Sequence, residues 1–301
     1  MRVLMTGGTS GIGLEAAKRL LGRGDVELTV AARRTSSAPR SRNGAARIVP
    51  VHLESLASVR TLAGKLQSEA AFDALVLNAG VQCTSAQTSR DGFELTFAVN
   101  HLAHYLLARL LAPTLAPGGR IIFTASGTHD PDMKTGVPAP RHADAQRLAC
   151  PSQDPQRDGN PMKAGRRAYS TSKLCNIMTA RELARRLAPM RPDLAVIAFD
   201  PGFTPGTGLA RNYPGFAGAI FKYVLPLTTR RSLSVSTPQN SGRLLSELVV
   251  APDYQDARGQ YYVMHGTELL PRDPSALARD PEACAKLWDD SAELVRLPAN
   301  A

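Results

Sequence analysis

Two side chains four residues apart, Tyr169 and Lys173, could together move a proton. The hydrophobic pattern predicts a helix over residues 169–187, so this spacing places both side chains on one helical face. A phenol with an ordinary pKa of about 10 is a poor acid or base at neutral pH. A neighbouring ammonium group stabilises the phenolate and lowers that pKa towards the working range. The pair is a candidate for acid–base catalysis; the alternative is an ordinary exposed helix face.

A glycine-rich segment near the start of the sequence could bind a pyrophosphate. Thr6-Gly7-Gly8-Thr9-Ser10-Gly11-Ile12-Gly13 lies between a predicted strand, residues 3–5, and a predicted helix, residues 12–21. Glycines there permit a tight turn and a close approach of the backbone, and the helix N-terminus favours an anion. Because many turns contain three glycines, it is the position between strand and helix that predicts a nucleotide site.

The elements that must hold these residues alternate between short β-branched runs and longer helical patterns. Predicted strands cover residues 3–5, 27–32, 48–51, 74–77, 120–124, 195–199 and 260–264, and predicted helices cover 12–21, 56–66, 93–111 and 169–187. Such alternation is typical of a parallel sheet covered on both faces. We therefore predict an α/β fold with one doubly wound, Rossmann-type parallel sheet of about seven strands, forming a single domain over residues 1–301.

Six segments in order along the chain resemble the short-chain dehydrogenase/reductase family. They are the TGxxxGxG spacing of residues 6–13, the segment Asn78-Ala79-Gly80, the residues Asn100 and Ser126, the YxxxK pair of Tyr169 and Lys173, and the turn Pro201-Gly202. The resemblance covers essentially the whole chain. The chain most resembles the branch of this family that contains retinol-dehydrogenase-like and light-dependent protochlorophyllide-reductase-like members. The segments that carry this resemblance are residues 99–105, 168–176 and 201–209.

The resemblance implies a role for each catalytic residue. Tyr169 would be the general acid and base, and Lys173 would also hold the nicotinamide ribose. Ser126 would hydrogen-bond the substrate oxygen, and Asn100 would hold a water that links Lys173 to solvent. The predicted cofactor-binding residues are Gly7, Thr9, Ser10, Gly11, Ile12, Gly13, Arg33, Arg34, Leu53, Asn78, Ala79, Gly80, Tyr169, Lys173, Pro201, Gly202, Phe203 and Thr207.

The end of the second predicted strand bears on the choice of cofactor. Enzymes specific for NAD place a carboxylate there to bind the ribose 2′-hydroxyl. This strand ends in Ala31-Ala32-Arg33-Arg34 with no acid nearby, so a 2′-phosphate would meet guanidinium groups. We predict NADP(H); the alternative is that the arginines form a solvated loop. His52 stands where the family often has an aspartate near adenine, so adenine contacts are expected from backbone groups.

Two segments are predicted to shape the substrate pocket. The insert of residues 127–168 is rich in Pro, Asp and Gly and is predicted to be irregular. The lid of residues 203–240 follows the Pro-Gly turn and carries a set of apolar side chains: Phe203, Phe216, Ile220, Phe221, Tyr223 and Val224. With the branch resemblance, they favour a bulky apolar ketone or alcohol as substrate. The alternative is that these side chains belong to the core.

The chain carries 36 Lys and Arg against 26 Asp and Glu, a formal charge of +10. The excess falls in two windows without acidic residues, 28–53 and 201–246, and the remainder of the chain is balanced. Two local patches indicate site-specific roles and not a coat for nucleic acid. The first patch has a predicted ligand in the 2′-phosphate. For the second, an anionic substrate, an acidic lipid surface and water stay open.

Compartment and metal binding are predicted from what the sequence lacks. No secretory signal is recognised, and no apolar run approaches the ~20 residues of a membrane span. Residues 216–227 could contact a membrane surface, which we do not favour. The four cysteines have no metal spacing, and His101 and His104 have no evident third ligand. We predict no metal site and a reduced, cytoplasmic location.

The leading hypothesis is an NADP(H)-dependent oxidoreductase that transfers hydride between nicotinamide and a bulky apolar ketone or alcohol. The nearest alternative is reduction of a carbon–carbon double bond in a protochlorophyllide-like or other polycyclic substrate. A non-catalytic NADP-binding regulator is opposed by the intact set of Ser126, Tyr169 and Lys173, and a nucleic-acid binder is opposed by the balanced remainder of the chain. Homodimer and monomer both stay open. Members of the family often pair through the helices that carry Asn100 and Tyr169, but the long insert could block one such surface.

Overall fold

The computed structural model describes residues 1–33, 38–205 and 234–298. One sheet contains eight strands: β1 (Arg2–Thr6), β2 (Glu27–Ala32), β3 (Arg47–Pro50), β4 (Ala74–Leu77), β5 (Arg120–Thr124), β6 (Ala195–Asp200), β7 (Arg258–His265) and β8 (Glu268–Arg272). Their order is β3-β2-β1-β4-β5-β6-β7-β8, and all neighbours are parallel except β7 and β8. The predicted doubly wound α/β sheet is confirmed. The sequence prediction omits β8, an edge strand that contains Pro271.

Nine α-helices surround the sheet within the described ranges: α1 (Gly11–Gly22), α2 (Leu56–Gln67), α3 (Leu95–Phe97), α4 (Ala103–Leu111), α5 (Ala145–Ala149), α6 (Pro161–Leu187), α7 (Pro238–Val250), α8 (Ala276–Arg279) and α9 (Pro281–Leu294). A π-helical segment, Ala98–Leu102, joins α3 to α4. The predicted helix over 93–111 is therefore a helical run with an irregular middle. No helix in the described ranges is both long enough and apolar enough to cross a membrane.

Helix α6 begins at Pro161 and not at Tyr169, which corrects the predicted boundary. The Asn160 side chain accepts a hydrogen bond from the Lys163 N–H at 3.0 Å, and Pro161 occupies the first helical position. Both are ordinary signals of a helix start. The insert of residues 127–168 is therefore irregular only as far as residue 160, apart from α5 and single turns of 3₁₀ helix. Its last eight residues form the first turns of α6.

The strands alternate their apolar side chains between two cores, one on each face of the sheet. On one face, Leu4, Leu75 and Phe123 pack in a cluster with residues of α2, α4, α6 and α9. On the opposite face, Met5 and Val76 pack with residues of α1 and α7. Because both faces are covered, the strands read as almost continuous apolar runs, which is why the sequence reveals them well.

The reversal of strand order next to β1 creates the crevice in which such folds bind ligands. The chain leaves β1 towards β2 and β3, and then returns through α2 to β4 on the other side of β1. The Thr6 hydroxyl at the end of β1 accepts hydrogen bonds from the N–H groups of Asn78 (3.0 Å) and Ala79 (3.1 Å), which follow β4. The two strand ends that border the crevice are thereby fixed together.

Candidate active site

A cleft of about 580 Å³ lies at the carboxyl ends of β1, β2, β4 and β5. It brings together many of the predicted cofactor-binding and catalytic residues. These are Gly7, Thr9, Ser10, Gly11, Ile12, Gly13, Arg33, Leu53, Asn78, Ala79, Gly80, Tyr169, Lys173 and Pro201. Arg34 and Thr207 lie outside the described residues, as do the other apolar lid positions from 216 to 224. Asn100, Ser126, Gly202 and Phe203 do not line the cleft itself.

The glycine-rich turn is packed so closely that Gly7 and Gly13 leave no room for side chains. Gly7 has a φ of +70°, and a Cβ atom added to it would lie 2.7 Å from the Cα atom of Ala79. A Cβ atom on Gly13 would overlap the carbonyl of Gly7. The Ser10 side chain makes no capping hydrogen bond to the described residues, so the first N–H groups of α1 open on the cleft. Such a helix terminus is a site for an anion.

Tyr169 and Lys173 lie on α6 and are both buried beside the end of β5. The Lys173 ammonium lies 5.7 Å from the centre of the Tyr169 ring. Its Nζ atom donates a hydrogen bond to the Thr124 carbonyl at 2.9 Å. Burial lowers the pKa of Lys173 to about 8, and the charge of Asp200 opposes that change. At neutral pH a lysine with this pKa still carries its positive charge, here beside the phenol.

Asn100 lies in the π-helical segment, an irregularity that is common at functional sites. Its amide bridges to the loop after β4: Oδ1 accepts from the Val81 N–H at 2.8 Å, and Nδ2 donates to the Val81 carbonyl at 2.9 Å. A Cβ atom placed on Gly80 would lie 3.5 Å from Asn100 Oδ1 and 3.7 Å from Lys173 Nζ. Asn100 and Lys173 therefore flank the same glycine.

Ser126 follows β5 and lies next to Ala125, which lines the cleft. Its hydroxyl oxygen accepts hydrogen bonds from the Thr128 N–H at 3.3 Å and the Thr128 hydroxyl at 3.2 Å. The hydroxyl is therefore held by the turn that begins the insert. No described residue of the insert lines the cleft. Its part in the substrate pocket stays a prediction.

The insert is nevertheless fixed to α6 by a partly exposed ion cluster around one carboxylate. The carboxylate of Asp158 pairs with Arg167 at 2.6 Å, Arg141 at 3.0 Å and Lys163 at 3.6 Å. The hydrogen bond from Arg167 is the largest cause that lowers the pKa of Asp158. Since Arg167 and Lys163 belong to α6, the helix that carries Tyr169 and Lys173 also anchors the insert.

The predicted lid is only partly described. Phe203 is 39% exposed, and its N–H donates to the Ser234 carbonyl at 2.9 Å. Residues 238–240 form the first turn of α7, which packs closely against α1. The last three positions of the predicted lid therefore belong to a core helix, which Thr237 caps by accepting a hydrogen bond from the Asn240 N–H at 3.1 Å.

The part of the cleft next to β2 has one feature that the sequence analysis did not identify. Arg33 is exposed at the end of β2 and lines the cleft, as do Leu53 and Glu54. His52 does not line it: its imidazole pairs with the Glu54 carboxylate at 3.0 Å, and its N–H donates to the Ser58 hydroxyl at 3.0 Å. The feature missed is the Glu54 carboxylate in the cleft. Its place directly after the acid-free window of residues 28–53 could have indicated it.

Both histidines on the helical run through Asn100 are engaged in buried hydrogen bonds. His104 Nδ1 donates to the Asn100 carbonyl at 3.0 Å, and its Nε2 accepts from the Thr6 hydroxyl at 3.0 Å. His101 Nε2 lies 2.9 Å from the Ser291 hydroxyl on α9. Burial lowers the pKa of each histidine to about 3, so both are neutral. Among the described residues, no group of three His, Cys, Asp or Glu could hold a metal ion.

Comparisons with known proteins identify the family. A model described as short chain dehydrogenase matches residues 1–136. The chain is 30% identical over 315 residues to protochlorophyllide reductase A, chloroplastic, of Oryza sativa subsp. japonica, an alignment that covers 98% of this chain and 80% of the relative. The chain belongs to the short-chain dehydrogenase family. The short-chain dehydrogenase TIC 32 B, chloroplastic, of Brassica napus is 29% identical over 98% of this chain and 88% of its own length.

Solved structures agree on the fold. An uncharacterized protein from Mycobacterium paratuberculosis superposes with a TM-score of 0.71 at 24% identity, over 99% of this chain and 94% of the other. A short chain dehydrogenase from Burkholderia cenocepacia, solved in complex with NADP, has a TM-score of 0.61 at 22% identity, over 88% of this chain and 96% of the other. The predicted resemblance to this family, on its protochlorophyllide-reductase-like branch, is confirmed.

Proposed function

We propose that this short-chain dehydrogenase is an NADP(H)-dependent oxidoreductase that interconverts a bulky apolar ketone and its alcohol. The observation that carries the proposal is the buried Lys173 side chain beside Tyr169, in a cleft that begins at the glycine-rich turn. A charge buried at this cost is a common mark of a functional site. The arrangement supplies a proton donor next to a site for a nucleotide.

The residues present fit a dinucleotide. The turn from Gly7 to Gly13 and the uncapped start of α1 would hold the pyrophosphate. Arg33 would hold the 2′-phosphate, and Lys173 would hold the nicotinamide ribose. When bound, NADP(H) supplies or accepts the hydride. The NADP complex of a structural neighbour and the similarity to protochlorophyllide reductases support this choice of cofactor.

The chain's own groups would handle the proton and the substrate oxygen. The ammonium of Lys173 stabilises the phenolate form of Tyr169, so the phenol can give its proton to a carbonyl oxygen or take one from an alcohol. Ser126 would hydrogen-bond the same oxygen. The space at Gly80, between the Asn100 amide and the Lys173 ammonium, would hold the path that restores the proton.

The cytoplasm is the location we propose for this protein.

The test is steady-state oxidation of NADPH with a panel of apolar ketones. Removing a general acid costs 10²–10⁴-fold. We therefore expect Tyr169→Phe to lower kcat by at least about 100-fold, while the affinity for NADPH changes little. Tyr254→Phe is the matched control, because Tyr254 pairs with Glu247 and does not line the cleft. Equal turnover by Tyr169→Phe and the wild type would exclude the proposed role.

Reduction of a carbon–carbon double bond is a second candidate, because the proteins of 29–30% identity include several protochlorophyllide reductases. Such a reaction would use the same hydride donor and the same tyrosine as proton donor. It predicts that the protein binds a tetrapyrrole-like pigment and reduces it with NADPH under illumination. A protein that turns over ketones in the dark and binds no such pigment would exclude this candidate.

A further inference from the structure

A buried carboxylate lies behind the proposed active site, at the end of β6. Asp200 is 4% exposed and directly precedes Pro201. Its Oδ1 atom accepts a hydrogen bond from the Gly202 N–H at 2.9 Å, and its Oδ2 atom accepts one from the Tyr261 hydroxyl on β7 at 3.0 Å. The carboxylate therefore fixes the turn that follows β6, where the nicotinamide is expected.

The same carboxylate also contacts the turn that carries Ser126. A Cβ atom on Gly127 would lie 3.1 Å from Asp200 Oδ2. The Gly127 backbone N–H contributes to lowering the pKa of Asp200. Two turns that come from different strands, one after β5 and one after β6, are thereby held by one side chain. A glycine at position 127 permits this close approach.

The surroundings of Asp200 assign it the ionised state. Desolvation raises the pKa of the carboxyl above its ordinary value, although hydrogen bonds from Gly202, Tyr261 and Gly127 partly offset that rise. These groups donate hydrogen bonds in this geometry, and a carboxylate that accepts two or three such bonds is stabilised in its charged form. A protonated carboxyl would have an O–H donor facing groups that themselves donate hydrogen bonds.

Lys173 is the cation on which the charge of Asp200 acts. His129, in the turn after β5, faces the carboxylate but is neutral: its Nδ1 donates to the Ser126 carbonyl at 2.8 Å, its Nε2 accepts from the Ser275 N–H at 3.1 Å, and burial lowers its pKa. Lys173 Nζ bonds to the carbonyl of Thr124, and Thr124 pairs across the sheet with Phe199, the residue directly before Asp200. At this position the negative charge of Asp200 raises the pKa of Lys173 against the effect of burial. The remaining groups that face these two charges are Tyr261, Tyr169 and the neutral His104.

We propose that Asp200 is a positioning residue of this active site, which holds the Ser126 turn and the Pro201-Gly202 turn together and keeps Lys173 protonated. The proposal rests on the proposed function for its effect on turnover. Its effect on Lys173 is a property of the free protein.

The first experiment follows the ¹⁵Nζ resonance of Lys173 against pH, without substrate, in the wild type and in Asp200→Asn. We expect the pKa of Lys173 to fall by about one unit in Asp200→Asn, the lower end of what one nearby opposite charge produces. Tyr261→Phe is the matched control, since it removes a hydrogen bond to Asp200 and leaves the charge. An unchanged Lys173 titration in Asp200→Asn would overturn the proposal.

Turnover supplies the second readout. In Asp200→Asn we expect kcat to fall by about tenfold or more, with little change in KM for NADPH. The fall of kcat at alkaline pH should also begin at a lower pH. Tyr261→Phe should lower kcat less and leave the pH dependence of kcat unchanged. If the wild type reduces no ketone but the Lys173 titration shifts, the proposed function fails and the role of Asp200 stands. Ketone reduction without the shift gives the reverse result.

A measurement on the wild type alone covers the case in which Asp200→Asn does not fold. The ¹³Cγ resonance of Asp200 reports the state of the carboxyl directly. We expect a carboxylate at pH 7. A protonated carboxyl at that pH would overturn the proposal without any variant.

Discussion

Replacing Lys173 by methionine should stabilise the protein at neutral pH while it inactivates the site. Lys173 is buried, and its pKa falls from 10.5 to about 8 on folding. Each unit of such a shift corresponds to 1.36 kcal/mol, so the charged form costs the folded state about 3 kcal/mol. This figure already contains the attraction to Asp200, because that charge is among the causes of the shift. Methionine is unbranched and adapts to irregular core space.

The substitution also removes the hydrogen bond from Lys173 to the Thr124 carbonyl, which we value at about 1 kcal/mol. The carbonyl keeps a second donor, because Asn176 Nδ2 also bonds to it at 3.2 Å. The net expectation at pH 7 is a gain of about 2 kcal/mol in the free energy of unfolding. Function and stability oppose each other at this position, as is common in active sites.

The pH dependence gives the sharpest form of this prediction. Below pH 8 both states carry the charge, and the cost is present in full. Between pH 8 and 10.5 the folded protein releases the proton and the unfolded chain keeps it, so wild-type stability rises with pH relative to the variant. Above the unfolded pKa the cost is gone. The difference should therefore change sign, from a gain of about 2 to a loss of about 1 kcal/mol.

Urea unfolding of the wild type and Lys173→Met between about pH 6.5 and about pH 11 measures this difference. Lys65→Met is the control, because Lys65 is exposed on α2. The difference in unfolding free energy between this variant and the wild type should not change with pH. A variant that is less stable than the wild type at pH 7, or a difference that does not change with pH, would refute the reasoning.

Three further predictions concern the cleft. Arg33→Ala should weaken NADPH binding by roughly 10- to 100-fold and leave NADH binding nearly unchanged, because a charge-assisted bond is worth about 1.5–3 kcal/mol; equal losses for both nucleotides in a fluorescence titration would count against the 2′-phosphate site. Gly80→Ala should fold normally, since its methyl group makes only ordinary contacts, but should lower kcat by about tenfold with an unchanged affinity for NADPH; an unaltered kcat would remove the proton path from this position. Thr6→Val should cost about 3 kcal/mol in urea unfolding, because two backbone N–H groups lose their acceptor, whereas Thr6→Ser keeps the hydroxyl and should cost much less.

The sequence predicts the strands of the sheet and the glycine-rich turn of the cleft because both depend on local sequence patterns. Strands buried on both faces are continuous apolar runs, and the glycine turn lies at the end of the first of them. The start of α6 is mispredicted although Asn160 and Pro161 signal it, because the polar residues after Pro161 hide the helical period. Edge strand β8 contains a proline and lacks the apolar pattern of a buried strand.

Long-range polar contacts are what the sequence does not predict. Asp200 reads as one acid beside a Pro-Gly turn, and only the fold brings it to Tyr261, Gly127 and Lys173. Likewise, the sequence assigns His104 no role, but the structure places it between Thr6 and the Asn100 carbonyl. Such contacts join residues far apart in the sequence, so neither spacing nor periodicity reveals them.

The central claim is that this chain moves hydride from NADPH to a carbonyl carbon while Tyr169 provides the proton. The most direct test uses NADPH deuterated at nicotinamide C4 on one face at a time, with mass analysis of the alcohol formed from an apolar ketone. Deuterium should pass to the carbinol carbon from one face only, and Tyr169→Phe should bind the nucleotide but form at most about one hundredth of the product. Product without deuterium from either face, or undiminished transfer in Tyr169→Phe, would contradict the account.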